Sequence, residues 1–182
     1  LETLFQNREY HTARTRGVVM NSNCCLLEVG IFCPVYINKF LRVPVDEGVA
    51  KLPINPYGAS KLMTERMLED SAAAYPMNYA ALRYFNVSGA DPDGRSGQVG
   101  KGSTHLIKVA VEAAVGKRDH IDVFGTDYPT EDGSCVRDYI HVSDLTAAHV
   151  KALERLIEQP GENLVLNLGY GRGLSVLEVL DA

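Results

Sequence analysis

A tyrosine and a lysine spaced four residues apart, Tyr57 and Lys61, have the clearest capacity for chemistry in this sequence. At the start of a helix, an i, i+4 spacing places two side chains on the same face. A free tyrosine has a pKa of about 10 and is a poor base at neutral pH, but an ammonium group fixed beside it favours the phenolate. The pair therefore predicts general-base chemistry, whereas the plain alternative is a surface tyrosine and lysine on an amphipathic helix.

Two later segments carry side chains suited to an anionic ligand with a flat ring. Asn86 follows an apolar stretch, where its amide can bond a phosphate or a sugar hydroxyl, although asparagine is also a common turn residue. Arg137 offers a planar fork that suits a diphosphate, and Phe124 offers a face on which a base can pack. A structural neighbourhood of Arg137 and Asp138 explains the last segment equally well.

Helical and strand patterns alternate from residue 43 onwards, and these elements would position the side chains. In order, the sequence predicts a helix over Tyr57–Ala74, a strand over Asn78–Asn86, a helix over Thr104–Val115 ended by Gly116, strands over Ile121–Phe124 and Val136–Val142, a helix capped by Ser143 and Asp144 that runs to Glu158, a strand over Leu164–Leu168 and a final helix capped by Ser175. On the first helix, Glu65 is predicted to face water. The alternation indicates an α/β fold with a largely parallel sheet, whose ligand lies beyond the carboxyl ends of the strands, near Asn86 and Gly125.

The composition is that of an ordinary folded domain and argues against several classes of function. The chain has 182 residues, of which 46% are hydrophobic and 23% charged, which suggests one domain or a large part of one. Its net charge is -5 and no basic stripe stands out, so nucleic acid is not an expected partner. No apolar run reaches the ~18 residues of a membrane span, and no signal peptide opens the chain. No zinc-type pair occurs, so we expect no metal and reduced thiols in a cytoplasm for Cys24, Cys25, Cys33 and Cys135.

The order and spacing of these segments resemble the UDP-glucose 4-epimerase branch of the extended short-chain dehydrogenase/reductase superfamily. The resemblance covers about residues 43–182, and its most specific part is the run from Phe124 to Val142. It implies a Rossmann-like doubly wound parallel sheet without its first strands, together with part of a smaller substrate-binding α/β domain. In this interpretation, residues 1–42 are a poorly readable remnant of the NAD-binding domain. Residues 43–182 hold the catalytic helix and strand, interleaved with the nucleotide-sugar-binding region.

The resemblance also implies a role for each matching residue. Tyr57 matches the base that takes the proton from the sugar 4-hydroxyl, and Lys61 matches the lysine that holds the nicotinamide ribose and tunes that base. Tyr84 and Phe85 match positions that touch both NAD and the sugar. Further contacts to the UDP-sugar are implied for Asn86, Thr104, His105, Leu106, Asp122, Val123, Phe124 and Arg137. The C4 hydride would pass to NAD and return to the opposite face of a 4-keto sugar. The resemblance also implies a homodimer, and we expect it in the cytoplasm.

Two features depart from the pattern of this family. A glycine-rich dinucleotide fingerprint followed by an acidic residue is not found, and the chain begins where the sheet of the family is already under way. The family also has a catalytic serine about 25 residues before the tyrosine, a distance that falls here at Phe32, within a stretch without a matching Ser or Thr. A reading-frame error in the underlying sequence would explain this stretch, and resequencing the coding DNA would test that hypothesis. The sequence of the family also continues beyond Ala182.

Several interpretations stay open at this point. Within the superfamily, the alternative is another nucleotide-sugar epimerase or a 4,6-dehydratase, although the loop Asp127–Gly133 favours an epimerase. Outside catalysis, the chain could be a nucleotide-sugar-binding fragment or an unstable remnant with exposed sheet edges. Neither the identity of the UDP-sugar nor the pathway, galactose use or polysaccharide supply, follows from these residues.

Overall fold

Helices and strands alternate in the fold, as the sequence predicts. The computed structural model describes residues 24–27, 45–100 and 102–182. Along the chain the elements are β1 (Cys24–Leu27), α1 (Pro56–Ala74), β2 (Asn78–Tyr84), β3 (Asn86–Ser88), α2 (Leu106–Ala114), β4 (Val136–His141), α3 (Val142–Glu158), β5 (Leu164–Leu168), β6 (Gly173–Ser175) and α4 (Val176–Asp181). The predicted α/β fold with a parallel sheet is confirmed.

Strand β2 is the centre of the main sheet, which has the order β1-β2-β5 and is parallel throughout. Residues 79–83 of β2 are all buried, which is typical of a parallel strand covered on both faces. Successive side chains of a strand point to opposite faces, so β2 contributes to two apolar clusters. One cluster joins Tyr79 and Ala81 to α1, and the other joins Ala80 and Leu82 to α3.

Local signals explain where the first and last helices begin. The side chain of Asn55 accepts a 2.8 Å hydrogen bond from the backbone N–H of Gly58, and Pro56 occupies the first helical position. At the other end of the chain, Ser175 and Glu178 form a reciprocal capping box at the start of α4. The predicted cap at Ser175 is therefore confirmed, and α1 begins one residue before the predicted Tyr57, at Pro56.

A second, smaller sheet follows the carboxyl end of β2, with the order β3-β4-β6. Strands β3 and β4 are parallel and pair Asn86 with Tyr139, whereas β4 and β6 are antiparallel and pair Arg137 with Leu174. The predicted strand Asn78–Asn86 is thus two strands, because the chain passes from one sheet to the other at Phe85. This division brings the residues after β2 next to β4.

Other predicted elements are wrong or shorter. Residues Ile121–Phe124 form no strand, although they alternate between half-buried and exposed, because a strand requires a pairing partner and the described residues place none beside them. Helix α2 begins two residues later than predicted, but Gly116 does follow its end, at a φ of 73°. Helix α3 is capped by His141, whose Nδ1 accepts a 3.2 Å hydrogen bond from the backbone N–H of Ser143, so Ser143 and Asp144 lie in its first turn instead.

The first quarter of the sequence is only partly covered by these findings. The apolar stretch Leu26–Val35, in which the sequence pattern allows a buried strand, overlaps β1 at two residues, and the rest of that stretch lies outside the described residues. Phe32, where the family carries its serine, also lies outside them. Among the helices of the described part, none is long and apolar enough to cross a membrane.

Candidate active site

Tyr57 and Lys61 lie side by side in the first two turns of α1. The ammonium nitrogen of Lys61 is 5.3 Å from the centre of the Tyr57 ring, a distance at which a cation is attracted to an aromatic face. Tyr57 is 49% exposed, so a ligand can reach it, while Lys61 is half-buried beside it. The cap at Asn55 and a 2.7 Å hydrogen bond from Ser60 Oγ to the Tyr57 carbonyl hold this turn. The structure therefore brings together the two residues that the sequence predicts as a pair.

Helix α1 is held to β2 by an ion pair that the sequence analysis did not foresee. Glu65, predicted to face water, is 1% exposed and accepts hydrogen bonds from Arg83 and Lys51. Burial acts to raise the pKa of the Glu65 carboxyl, but the hydrogen bonds from Arg83 and Lys51 outweigh burial and hold that pKa below its usual value. The sequence offered one signal for this pair, because Arg83 stands inside the otherwise apolar run of β2.

Residues 84–86 continue from the carboxyl end of β2 toward the second sheet. The Tyr84 ring is 6.4 Å from that of His149 on α3, at an interplanar angle of 54°. Phe85 lies against Gly169, where an added β-carbon would be 2.8 Å from the Phe85 ring. The Asn86 side chain is hydrogen-bonded to Tyr139, whose pKa is raised by burial despite that bond. All three side chains therefore have protein neighbours, and each is half-buried.

Arg137 and Asp138 lie next to each other on β4, but the alternation of a strand sends their side chains to opposite faces. The Asp138 carboxylate accepts hydrogen bonds from the backbone N–H groups of Tyr170 (3.1 Å) and Gly171 (2.8 Å). Burial raises the pKa of Asp138 in spite of these two bonds. Arg137 is half-buried, and its guanidinium donates to the carbonyl of Val136 at 2.8 Å. Asp138 thus holds the turn between β5 and β6, and Arg137 is presented on the other face.

The end of β4 is supported by a chain of hydrogen bonds around His141. The backbone N–H of His141 donates to the Tyr170 hydroxyl at 3.2 Å, and this hydroxyl donates to the carboxylate of Asp144. Gly89, which follows β3, lies over the His141 ring with a φ of 85°. These contacts give His141 a structural role, and they fix the carboxyl end of β4 beside the residues that follow β2.

The remaining predicted contact residues lie at the start of α2 and in the loop that follows it. Thr104, His105, Asp122 and Phe124 are exposed, while Leu106 and Val123 are half-buried. Phe124 is 84% exposed, which is unusual for a large aromatic side chain and leaves its face free for a flat ligand.

The loop that follows Phe124 is anchored through Asp132. One carboxylate oxygen of Asp132 accepts from the N–H and the hydroxyl of Ser134, both at 2.8 Å, and the other accepts from the hydroxyl of Ser175. These bonds, that from Ser175 foremost, hold the pKa of Asp132 below its usual value. Asp132 is therefore a positioning residue for the loop, and the sequence analysis did not single it out.

Metal ligation is not part of this arrangement as far as the structure describes it. Within residues 24–27, 45–100 and 102–182, no group of three or more His, Cys, Asp and Glu side chains could hold a metal ion.

A parallel sheet with helices on both faces, and a tyrosine–lysine pair on the helix that packs against its central strand, is the arrangement of the superfamily that the sequence resembles. The model of the NAD dependent epimerase/dehydratase family matches residues 39–169 of this chain. The chain belongs to that family.

Relatives of known identity agree with this assignment. The chain is 59% identical over 138 residues to the UDP-glucose 4-epimerase of Azospirillum brasilense. The aligned part covers 76% of this chain and 39% of that protein. It is 51% identical over 140 residues to the UDP-glucose 4-epimerase of Rhizobium meliloti (strain 1021), covering 77% of this chain and 42% of that protein. The chain thus spans less than half the length of the curated relatives it matches.

Solved structures give the same fold. A UDP-glucose 4-epimerase from Brucella ovis in complex with NAD matches with a TM-score of 0.80 and 50% identity, over 87% of this chain and 48% of that one. The enzyme from Bifidobacterium longum, in complex with NAD+ and UDP, matches with a TM-score of 0.75 and 37% identity, over 88% of this chain and 48% of that one. The predicted Rossmann-like fold class is confirmed by these matches.

Proposed function

We propose that this chain carries the catalytic helix and part of the substrate site of an NAD-dependent UDP-glucose 4-epimerase, which interconverts UDP-galactose and UDP-glucose. The observation that carries the proposal is the Lys61 ammonium 5.3 Å from the ring of the half-exposed Tyr57, at the capped start of α1. Similarity to UDP-glucose 4-epimerases at up to 59% identity supports the substrate. Because the chain spans less than half of those relatives, the activity is proposed for the full-length product that carries it.

The residues present fit the nicotinamide end of the cofactor. A phenol and an ammonium lie side by side, and the ammonium can donate hydrogen bonds to ribose hydroxyls. When bound, NAD would supply the hydride acceptor and donor at C4 of the sugar. We assign the contacts of this end to Tyr57, Lys61, Tyr84 and Phe85.

Tyr57 would act as the base that takes the proton of the sugar 4-hydroxyl while the hydride leaves C4, so that a C4=O double bond forms, and bound NAD would supply the acceptor of that hydride. The Lys61 ammonium beside the ring would stabilise the negative charge that develops between the two oxygens during this step. In the second half of the reaction, Tyr57 returns the proton to the oxygen after the sugar has turned. Inversion of that centre requires the hydride to return to the other face of C4, chemistry that bound NAD would supply.

For the nucleotide part of the substrate, we assign the diphosphate to Arg137 and the uracil ring to Phe124. The guanidinium fork suits two phosphate oxygens, and the exposed ring of Phe124 suits stacking. The Asn86 amide is hydrogen-bonded to Tyr139, and we assign its remaining hydrogen-bonding capacity to the sugar or a phosphate. We assign further contacts with the UDP-sugar to Thr104, His105, Leu106, Asp122 and Val123.

A coupled assay for conversion of UDP-galactose to UDP-glucose tests the function. It compares the full-length gene product with its Tyr57→Phe variant, and uses Tyr75→Phe, an exposed tyrosine at the end of the same helix, as the matched control. General acid–base groups contribute about 10²–10⁴ in rate, so Tyr57→Phe is expected to lose at least about 100-fold in kcat. A folded, NAD-containing parent without this activity would refute the substrate assignment. Parallel assays with UDP-N-acetylglucosamine and a UDP-pentose would then identify the sugar.

We propose in addition that the enzyme is a homodimer. The outer face of α1 supports this, because it exposes two large apolar side chains, Met63 and Met67. Light scattering of the full-length product should give twice the monomer mass, and Met67→Glu should shift it toward the monomer. A monomeric parent would contradict the proposal.

Two other assignments are proposals of the same kind. The division into residues 1–42 and 43–182 is supported by the family match, which begins at residue 39. Resequencing the coding DNA tests it, since a corrected frame should replace the unmatched stretch. A cytoplasmic location is proposed from the cysteine pattern, and cell fractionation with an antibody to the protein tests it.

A further inference from the structure

Three charged side chains from separate parts of the chain meet between α1 and β2. Glu65 accepts hydrogen bonds from Arg83 Nε and from a terminal guanidinium nitrogen of Arg83, each at 2.7 Å, and from Lys51 Nζ, also at 2.7 Å. The Glu65 side chain is 1% exposed and that of Arg83 is 8% exposed, while Lys51 closes the group from a more open position at 29%. A carboxylate bound by both arms of a guanidinium is held in direction as well as in distance.

The location of this charged group relates it to the candidate active site. Glu65 follows Lys61 by one helical turn and Tyr57 by two turns on α1. Arg83 immediately precedes Tyr84, the last residue of β2, and Phe85 follows that strand. The group therefore joins the segment that carries the proton-transfer pair to the segment assigned to cofactor and sugar.

The apolar contacts of α1 flank Glu65 on the helix but meet a different part of β2. Leu62 and Leu68 pack on Tyr79 and Ala81, nearer the start of β2, whereas Arg83 and Glu65 make the contact near its end. Apolar surfaces attract without a preferred direction, so they specify the axial position of a helix less sharply than hydrogen bonds of fixed geometry do. An axial shift of α1 would lengthen both hydrogen bonds of the bidentate pair at once, and the pair therefore opposes such a shift.

We propose that Glu65 and Arg83 are positioning residues, which set the axial register of α1 on β2 and thereby the place of Tyr57 and Lys61 relative to residues 84–86. Lys51 adds the loop before α1 to the same anchor. This inference rests on the proposed function, but it concerns residues that touch neither substrate nor cofactor. A displacement of about 1 Å in a catalytic group can cost about 100-fold in rate, which is the effect that these residues prevent.

The test uses the full-length product and separates positioning from folding. A single substitution would leave one of the two buried charges without its bidentate partner, so the informative variant is the double change Glu65→Leu with Arg83→Met, which removes both charges at similar volume. Lys51 can turn to solvent in this variant. Glu69→Leu, an exposed acid one turn further along α1, is the matched control.

The double variant is expected to melt within a few degrees of the parent, while its kcat falls by about 10–100-fold and its KM changes by less than about 3-fold. The control should keep the kcat of the parent. Parent-like kcat in a folded double variant would overturn the proposal, since the three charges would then serve only the fold.

Hydrogen exchange gives an answer that does not depend on activity. Backbone amides of residues 57–66 and 82–88 are expected to exchange faster in the folded double variant than in the parent or in Glu69→Leu, without cofactor or substrate. Unchanged exchange in both segments would overturn the proposal. If the parent has no epimerase activity, the proposed function fails in the kinetic assay, whereas exchange still decides whether Glu65 and Arg83 hold the register.

Discussion

Gly89 lies directly over the imidazole of His141, so closely that a β-carbon on Gly89 would be 2.2 Å from Nε2 of that ring. Gly89 also has a φ of 85°, a backbone conformation that residues with a side chain rarely adopt. The contact joins the residue after β3 to the cap of α3, and thus fixes the segment that follows Asn86.

Replacing Gly89 by alanine should therefore destabilise the fold through two separate effects. Backbone strain at this φ costs about 1–3 kcal/mol, and the clash with His141 adds to it. Urea unfolding measures the sum. Gly94→Ala is the matched control, because Gly94 has a φ of 68° but nothing within 4 Å of its added β-carbon. An equal loss in the two variants would mean that the His141 contact contributes nothing.

The ion pair of Glu65 predicts a specific dependence of stability on pH. The pKa of the Glu65 carboxyl is held below its ordinary value of 4.5, so the carboxylate contributes stability that is present above that value. This stability should be lost as the pH falls below 4.5 and through the lowered pKa of the folded state. At neutral pH, Glu65→Gln should lower the free energy of unfolding by about 1.5–3 kcal/mol, since the amide keeps the size of the side chain but not the charge that binds Arg83.

Unfolding free energies of the parent and Glu65→Gln from pH 7 to pH 3 check this prediction. The gap between the two proteins should narrow on acidification. A gap that stays constant over this range would show that the charge of Glu65 is not the source of the stability.

Asp132 should contribute to stability although it is exposed, because two buried hydroxyls depend on it. Ser134 is 1% exposed and Ser175 is 4% exposed, and both donate to the Asp132 carboxylate. Asp132→Ala leaves both donors without this acceptor, which should lower the free energy of unfolding. Urea unfolding should show the loss, and the exposed neighbour Glu131→Ala should change stability by less than about 0.5 kcal/mol. Equal behaviour of the two variants would contradict this role.

Phe124 should matter for nucleotide binding and not for folding. Its ring is 84% exposed, so truncation removes little buried surface and should alter stability by less than about 0.5 kcal/mol. If the uracil ring stacks on it, Phe124→Ala should weaken UDP binding by about 1 kcal/mol, or roughly fivefold. Titration calorimetry of the full-length product with UDP measures this, with Val99→Ala, at another highly exposed apolar side chain, as control. Unchanged UDP affinity in Phe124→Ala would remove Phe124 from the site.

Features that depend on neighbouring residues in the chain could be predicted from the sequence. The predicted helix start at Tyr57 lies one residue from the start of α1, Ser175 caps α4 as predicted, and the strand Leu164–Leu168 has the bounds that the sequence predicts. The Tyr57–Lys61 pair belongs to the same group, because two residues one helical turn apart must lie on one face once the helix forms. Local geometry decides such features before any distant part of the chain is placed.

Tertiary structure decided what depended on distant partners. The helical pattern alone places Glu65 on the surface. The fold buries it beside Arg83 and Lys51, which lie 18 and 14 positions away in the sequence. Residues Ile121–Phe124 alternate like a strand but have no described strand beside them to complete their hydrogen bonds. His141 caps α3 in place of Ser143. Its imidazole packs against Gly89 and lies within hydrogen-bonding distance of the Ser143 N–H. Whether a charge is buried, whether a segment pairs as a strand and which of two residues caps a helix all depend on free energies set by the whole fold. Neighbouring residues in the sequence do not determine these outcomes by themselves.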